Sequence, residues 1–378
     1  MKQGWEMKTI GDVCKSASSN ISQNKLANDE GIYPIFGASG FIKNVSFYHR
    51  DKPYLSIVKD GSGVGRVTKM EAFTSVIGTL QYLLPNEDID LDYLNYTLMS
   101  VDFKKYVAGA AIPHIYFKDY KNEPFLWMPL KEQQRIVSIL DEAFTAIDKA
   151  KANTEQNLKN AKELFESELQ RVFSKKGDDW EEKRLEEVVD ENCNLSYGIV
   201  QPGDEFPDGL PVIRPTDLTQ KLITTKGLKL IDPKLSEAYK RTLLKGGELL
   251  ICVRGNTGVV SVATNELKGA NVTRGIVPIV FNSELIFQDF GYYLLISSYF
   301  QKQIKEKTYG AALMQINIGD LRKVHSKYPS LKKQIEIVSK LDTLHEQTKK
   351  LEAVYAQKLQ DLEELKKSVL QKAFSGEL

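Results

Sequence analysis

Cysteine is scarce in this chain: three thiols, Cys14, Cys193 and Cys252, stand far apart in 378 residues. They cannot all pair, and their spacing suits no metal, so a reduced, cytoplasmic setting with buried thiols is expected. Long apolar runs are also missing, which excludes an expected transmembrane span. The start, Met-Lys-Gln-Gly-Trp-Glu, carries no apolar signal region. Nor is there an excess of one charge. Residues 1–130 hold 14 basic and 14 acidic side chains, 131–175 hold 8 and 8, 176–330 hold 20 and 20, and 331–378 hold 9 and 8. That balance argues against a simple basic module that grips nucleic acid by charge alone. It says little about where charges lie in space.

Catalytic signatures are absent as well. There is no Asn/Asp-Pro-Pro-Tyr/Phe methyltransferase motif and no GxxxxGK(S/T) phosphate loop. Gly61-x-Gly63-x-Gly65 lacks the full GxGxxG spacing and leads into strand-like Arg66-Val67-Thr68, so it reads as a turn. Asp179 with Glu181-x-Lys183 has the look of a nuclease (D/E)xK signature, but it sits in a charged linker and reads as a solvated connection. The four histidines are scattered.

Proline and glycine are missing from one long stretch, Leu130 to Ser174, and this is where the chain is organised. The stretch recurs at Leu331 to Ser375 at a constant offset of 201, with 19 of 45 positions identical. Both copies open Leu-Lys-x-Gln-x-x-Ile-Val-Ser-x-Leu-Asp. Trp5-Glu6-Met7-Lys8 is echoed by Trp180-Glu181-Glu182-Lys183 at an offset of 175. The chain is therefore a tandem repeat, each unit a globular part followed by a long helix. The helices keep one length, while the second globular part is 26 residues longer, mainly within the Pro/Gly-rich region 198–247. Boundaries follow at 1–129, 130–175, 176–329 and 330–378.

Each globular part reads as mixed α and β. Tyr54 to Val58 and Leu249 to Val253 are strands that run into glycine-rich turns. Val76 to Leu84 and Val272 to Phe281 read as strands, and Leu91 to Val107 and Phe287 to Ile304 as helices. Gly109-Ala110-Ala111 is matched by Gly310-Ala311-Ala312.

The long helices carry heptad stripes. The first shows Ile136, Leu140, Phe144, Ile147, Leu158, Ala161, Phe165 and Val172, weakened around Lys151 to Thr154. The second shows Ile337, Leu341, Leu344, Leu351, Tyr355, Leu362, Leu365 and Val369, with Thr348 and Lys358 as polar members. Neither helix can bury its stripe alone, so the two are expected to pack antiparallel. The expected fold is α+β: two similar α/β heads separated by an antiparallel coiled coil, with pseudo-twofold symmetry. Such a molecule suits measuring a distance and reading two different things, and B-DNA, whose half-sites on one face lie about 34–36 Å apart, is a natural ruler.

With these features the chain resembles the specificity subunit of type I restriction–modification systems. The resemblance covers essentially its whole length. It rests on the duplicated helix openings and on Leu370-Gln371-Lys372-Ala373-Phe374-Ser375-Gly376-Glu377-Leu378. Gly198 to Gly203, Leu210 to Arg214 and Gly269 to Ile276 add to it, as do Tyr33 to Gly40 and Ile112 to Asp119 in the first head. It implies two target recognition domains, each reading half of a bipartite double-stranded DNA site. It implies helices that dock two methyltransferase subunits using S-adenosylmethionine, and a separate motor–nuclease subunit that uses ATP and Mg2+. This chain would be a reader and scaffold with no cofactor or catalysis of its own.

Base reading favours Arg, Lys, Asn, Gln and Thr on loops beside glycine, because their donors and acceptors match base edges. In the second head the candidates are Arg214, Arg254, Asn256, Thr257, Asn271, Arg274 and Gln315; in the first, Lys59, Ser62, Arg66, Gln81, His114 and Lys118. Some of these can equally hold turns or pair with carboxylates. Gln133, Val137, Ile139, Gln334 and Val338 are candidates for partner docking near the helix starts. Two rival readings stand: an enzyme fused to recognition elements, and a tether of two protein partners that never touches DNA.

Overall fold

In a computed structural model the described residues are 4–174, 179–311 and 313–378. The expected start of the second globular part at 176 and the Ala312 member of the small repeat lie outside them. The chain divides into two compact units, residues 1–157 with 355–378, and residues 158–354. Each long helix, Leu130–Ser174 and Leu331–Ser375, is shared between the two.

The first unit opens with β1 (Glu6–Thr9) and β2 (Cys14–Ser18). The β3 (Tyr33–Gly37) and β4 (Gly40–Val45) hairpin follows, then β5 (Tyr54–Val58), β6 (Val67–Met70), β7 (Ser75–Val76) and β8 (Leu80–Pro85). β9 (Pro124–Trp127) returns to pair antiparallel with β1, closing the head at the entry to the long helix. The central sheet has the order β2-β8-β5-β6, and a second sheet has the order β4-β3-β7. β5 is buried at every residue, which accounts for its unbroken Tyr-Leu-Ser-Ile-Val sequence.

The second unit repeats the plan. β10 (Glu181–Arg184) pairs with β18 (His325–Tyr328), as β1 does with β9. Between them lie β11 (Leu210–Ile213), β12 (Leu222–Ile223), β13 (Lys229–Ile231), β14 (Leu249–Cys252), β15 (Val260–Ala263), β16 (Asn271–Val272) and β17 (Ile276–Ile279). They form sheets β13-β11-β16 and β12-β15-β14-β17. β13 pairs with β11 as β4 does with β3, while β12, at the edge beside β15, has no counterpart in the first head.

Two expected strands are split. Val76 to Leu84 is β7, a turn at Ile77–Thr79, then β8. Val272 to Phe281 is interrupted at Thr273–Gly275. In both places the chain crosses from one sheet to the other. Two expected helices are split as well. Leu91–Ser100 ends at Val101, and Asp102 caps a following 3-10 turn; Gln288–Ile296 ends at Ser297, whose hydroxyl side chain caps Ser298–Lys307. An oxygen-bearing cap residue with non-helical backbone restarts the helix in each case.

Within each unit the long helices run antiparallel. In the first, Lys151 reaches Glu363 at 2.5 Å and Lys366 reaches Asp148 at 3.1 Å. In the second, Lys340 reaches Glu168 at 3.1 Å. Ile136, Leu140, Phe144 and Ile147 share a core with Leu370 and Ala373, and Leu169 and Phe173 share one with Val338 and Leu341. The first helix uses the expected stripe. The second is rotated by about one position over part of its length. Leu351, Lys358 and Leu365 are exposed, while His345, Glu352, Leu359 and Lys366 are half-buried. The seam accepts these polar residues because their stems or rings do the covering. Lys366 lies 4.7 Å over Phe144, and His345 meets Phe165 edge-on at 4.9 Å.

Candidate nucleic-acid interface

In both heads the turn after the buried central strand is fastened to the loop that follows the head's helices. In the first head the Ile115 N–H donates to Lys59 O at 2.9 Å, and Gly61 N–H to Pro113 O at 2.8 Å. His114 and Ala108 exchange reciprocal backbone bonds of 2.8 and 2.9 Å. In the second head Ile316 N–H donates to Val253 O at 3.0 Å and Gly255 N–H to Met314 O at 2.8 Å, with Gln315 and Tyr309 exchanging bonds of 2.8 and 2.9 Å. The loop from the split strand joins the same cluster: Lys59 N–H donates to Thr79 O at 3.0 Å, and Val253 N–H to Gly275 O at 2.7 Å. The match makes Gln315 the counterpart of His114, and Arg254 the counterpart of Asp60.

Two glycines allow this close fastening. Gly65 (φ +87°) sits where an added Cβ would lie 2.6 Å from the Phe103 Cβ. Gly258 (φ +95°) sits where it would meet the Gln301 amide oxygen at 2.4 Å. Both need the left-handed region as well as the space.

The second head presents three arginines at this cluster. Ile213 O accepts from Thr273 N–H at 2.9 Å and Gly275 O from Val253 N–H, so Arg214, Arg274 and Arg254 each neighbour a backbone link between their segments. Arg274 is exposed and Arg254 half-exposed, and neither has an ion-pair partner among the described residues. Arg214 differs. Its fork is engaged by Asp217 at 3.1 and 2.9 Å, and that hydrogen-bonded carboxylate raises the guanidinium pKa further. Asn256 is exposed on the turn. Thr257 is half-buried, its hydroxyl donating to Met314 O at 3.2 Å.

The first head is arranged differently in charge. Lys59 pairs with Asp60 at 2.5 Å. Arg66 donates to Ala38 O in the β3–β4 turn, bringing that turn to the cluster. Ser62 is exposed. The His114 ring meets Tyr116 at 5.0 Å, and Lys118 lies 5.2 Å from the same tyrosine ring.

Several candidates are corrected by burial. Asn271 is fully buried: its amide donates to the Ser236 hydroxyl at 2.7 Å and to Tyr239 O at 3.2 Å, and its oxygen accepts from Thr242 at 2.7 Å. It holds β16 to the helix and turn at 233–242 and has nothing left for a base. Gln81 lies mid-strand in β8 and is 9% exposed. Gln133 and Gln334 are fully buried and Val338 is 6% exposed, which removes all three from a docking surface. Val137 and Ile139 are half-buried.

Reasoning from sequence does not single out the exposed rings and apolar side chains at the cluster, namely Ile112, Tyr116, Tyr309, Leu313 and Met314. The glycines Gly109 and Gly310, with φ of +89° and +120°, are the signal that marks these loops. The cysteines offer no nucleophile. Burial pushes Cys14 up to about 12 and raises Cys193 and Cys252. Asp179 pairs with Lys333 at 3.0 Å and Glu181 with Lys183 at 3.2 Å, so the (D/E)xK-like residues serve as surface ion pairs. No cluster of potential metal ligands occurs among the described residues, and no helix among them is long and apolar enough to cross a membrane.

The fold and this site can be set beside known proteins. The type I restriction enzyme EcoBI specificity subunit of Escherichia coli is 26% identical over 293 residues, covering 72% of this chain; the chain spans 62% of that protein's length. The MjaVIII specificity subunit of Methanocaldococcus jannaschii is 23% identical over 407 residues, covering 100% of this chain and 93% of that protein. Among solved structures, the HsdS subunit from Thermoanaerobacter tengcongensis aligns with a TM-score of 0.63 at 18% identity, over 100% of this chain and 98% of that one. A chain from work on complex assembly and conformational transition of the type I R-M system aligns with a TM-score of 0.73 at 18% identity, over 100% and 99%. At that identity the structures speak for the fold. The model of the type I restriction modification DNA specificity domain matches residues 2–160 and 177–363, and the chain belongs to that family.

Proposed function

We propose that each head reads one half of a bipartite double-stranded DNA site, within the DNA-specificity role of the family. The observation that carries this reading is the fastened loop cluster, built twice on one backbone plan and equipped with different side chains. Arg254, Arg274 and Asn256 present donors and acceptors suited to base edges in the second head; Arg66, Ser62, His114 and Lys118 do so in the first. Phosphate contacts would set register, and base contacts with DNA shape would set sequence.

The long helices fix the spacer and dock two methyltransferase subunits. Leu164, Ile335, Leu351, Val354 and Leu365 support this, since all five are exposed leucine, isoleucine or valine side chains on the long helices. The chain itself is non-catalytic. S-adenosylmethionine binds the methyltransferase subunits, and ATP and Mg2+ serve a motor–nuclease subunit that joins through the complex. The assembly works in the cytoplasm, in keeping with three free thiols.

Sequencing methylated sites in the host, with and without this chain, tests the reading. A two-part methylated motif should vanish when the chain is removed. Its persistence would overturn the reading. Methyl transfer from labelled S-adenosylmethionine to DNA by the purified chain alone would show the enzyme alternative instead.

A further inference from the structure

Gln133 and Gln334 stand at the fourth position of their long helices, and both are fully buried. Gln133 Oε1 accepts from the Asp90 N–H at 2.8 Å, and its Nε2 donates to Asp88 O at 2.9 Å and Met128 O at 2.8 Å. Gln334 makes the same three bonds. Its Oε1 accepts from the Phe287 N–H at 2.8 Å, and its Nε2 donates to Leu285 O and Pro329 O, both at 2.8 Å. Asp90 and Phe287 are the N-cap residues of helices Leu91–Ser100 and Gln288–Ile296. Each glutamine thus ties the start of a long helix to the start of a head helix and to the strand exit between them.

A second tie joins the same pair of helices further along. Tyr96 donates to Asp141 in the first unit, and Tyr293 to Asp342 in the second. Asp141 and Asp342 each lie eight residues beyond the glutamine, about 12 Å along the helix at ~1.5 Å per residue. Two points fix a crossing angle where one would leave a pivot.

The chemistry of the first tie is selective. One acceptor and two donors must meet one N–H and two C=O groups, which a side-chain amide does. A glutamate would place carboxylate oxygen against two carbonyl oxygens. Leucine or methionine would fill the space but leave three backbone groups unpaired. Apolar packing is non-directional and tolerates small rotations, whereas these bonds do not.

We propose that Gln133 with the Tyr96–Asp141 bond, and Gln334 with the Tyr293–Asp342 bond, are positioning residues that set the angle at which each head leaves its long helix. Through that angle they set the rotational phase between the two DNA half-sites. The inference rests on the DNA-reading function proposed above. One base pair of spacer turns a half-site by about 35° and moves it by about 3.4 Å, so a small change of angle reaches the spacer preference.

The test uses the full chain assembled with its methyltransferase partners. The half-sites found by methylation sequencing are kept constant, and the spacer is varied one base pair at a time. Tyr96→Phe and Tyr293→Phe are near-isosteric and keep the ring packing; Gln133→Met and Gln334→Met remove the amides. The expected result is a broadened or displaced spacer optimum, with discrimination between neighbouring spacers reduced roughly tenfold and both half-site sequences still required. An unchanged spacer profile in the tyrosine variants and in every glutamine variant that assembles overturns the proposal, whatever their melting temperatures. Should a Gln variant fail to assemble, the tyrosine variants decide. A chain with residues inserted in the central helix serves as control. If that chain also leaves the spacer profile unchanged, the ruler function itself is wrong, as distinct from the clamp.

Discussion

Glu168 on the central helix accepts hydrogen bonds from Arg171 on its own helix at 2.6 Å and stands 3.1 Å from Lys340 on the facing one. Only 16% of its side chain is exposed. The Arg171 hydrogen bonds first, then Lys340, hold its carboxyl down to about 2 from the usual 4.5. A carboxyl depressed in the folded state adds stability that is complete above its unfolded pKa and lost as pH falls through the folded one. The Glu168 contribution should therefore be present at neutral pH and disappear between about 4.5 and about 2. Thermal unfolding of Glu168→Gln against the parent chain checks this: the melting-temperature gap should be open at pH 7 and close towards pH 2.

Asn271→Ala should destabilise the second head by about 2 kcal/mol, because it removes the amide's bonds to the buried Ser236 hydroxyl and the Val272 N–H and leaves the Thr242 hydroxyl only the Tyr239 carbonyl. Denaturant unfolding measures the loss. The methylated sequence should stay the same in any host cells where the variant still assembles, since Asn271 does not reach the surface.

Arg254→Ala and Arg274→Ala should each weaken DNA binding by the assembled complex and affect only one half-site. A lost bidentate base contact costs about 1–3 kcal/mol and relaxes one position. A lost phosphate contact lowers affinity across all sequences and reduces the salt slope by about one. Arg214→Ala should do less, because Asp217 already occupies its fork. Salt-dependent binding of the three variants separates these outcomes.

The rotated seam of the C-terminal helix yields a contrast between leucines. Leu341 is fully buried, and Leu341→Ala should cost about 2–5 kcal/mol in unfolding experiments. Leu351 is 41% and Leu365 48% exposed. Leu351→Ser and Leu365→Ser should change stability by only about 0.5 kcal/mol. Their effect should appear in the affinity for the methyltransferase partner, read by sedimentation or calorimetric titration.

The long helices were legible because 45 residues without proline or glycine, with apolar residues at 3-4 spacing, fit little else. Which face of the second helix would be buried was not. Leu351 and Leu365 fit the stripe as well as any residue, and only the facing side chains, such as Phe144 beneath Lys366, decide otherwise. Gly78 and Gly275 fall inside runs rich in β-branched residues, so the turns that split those strands were hidden by their surroundings. The loop cluster was visible through its glycines. Its side chains were harder to sort, because Asn256 and Asn271 look alike in sequence. One stands on an open turn and the other is enclosed by Ser236, Tyr239 and Thr242.

The loop cluster is closed by main-chain hydrogen bonds: Lys59 to Ile115, Gly61 to Pro113, Val253 to Ile316 and Gly255 to Met314. Bonds of this kind are indifferent to the side chains around them. Asp60 and Arg254, opposite in charge, occupy the same place in the same backbone without disturbing it. A lineage can therefore respell what such a head recognises one letter at a time, and each intermediate still folds.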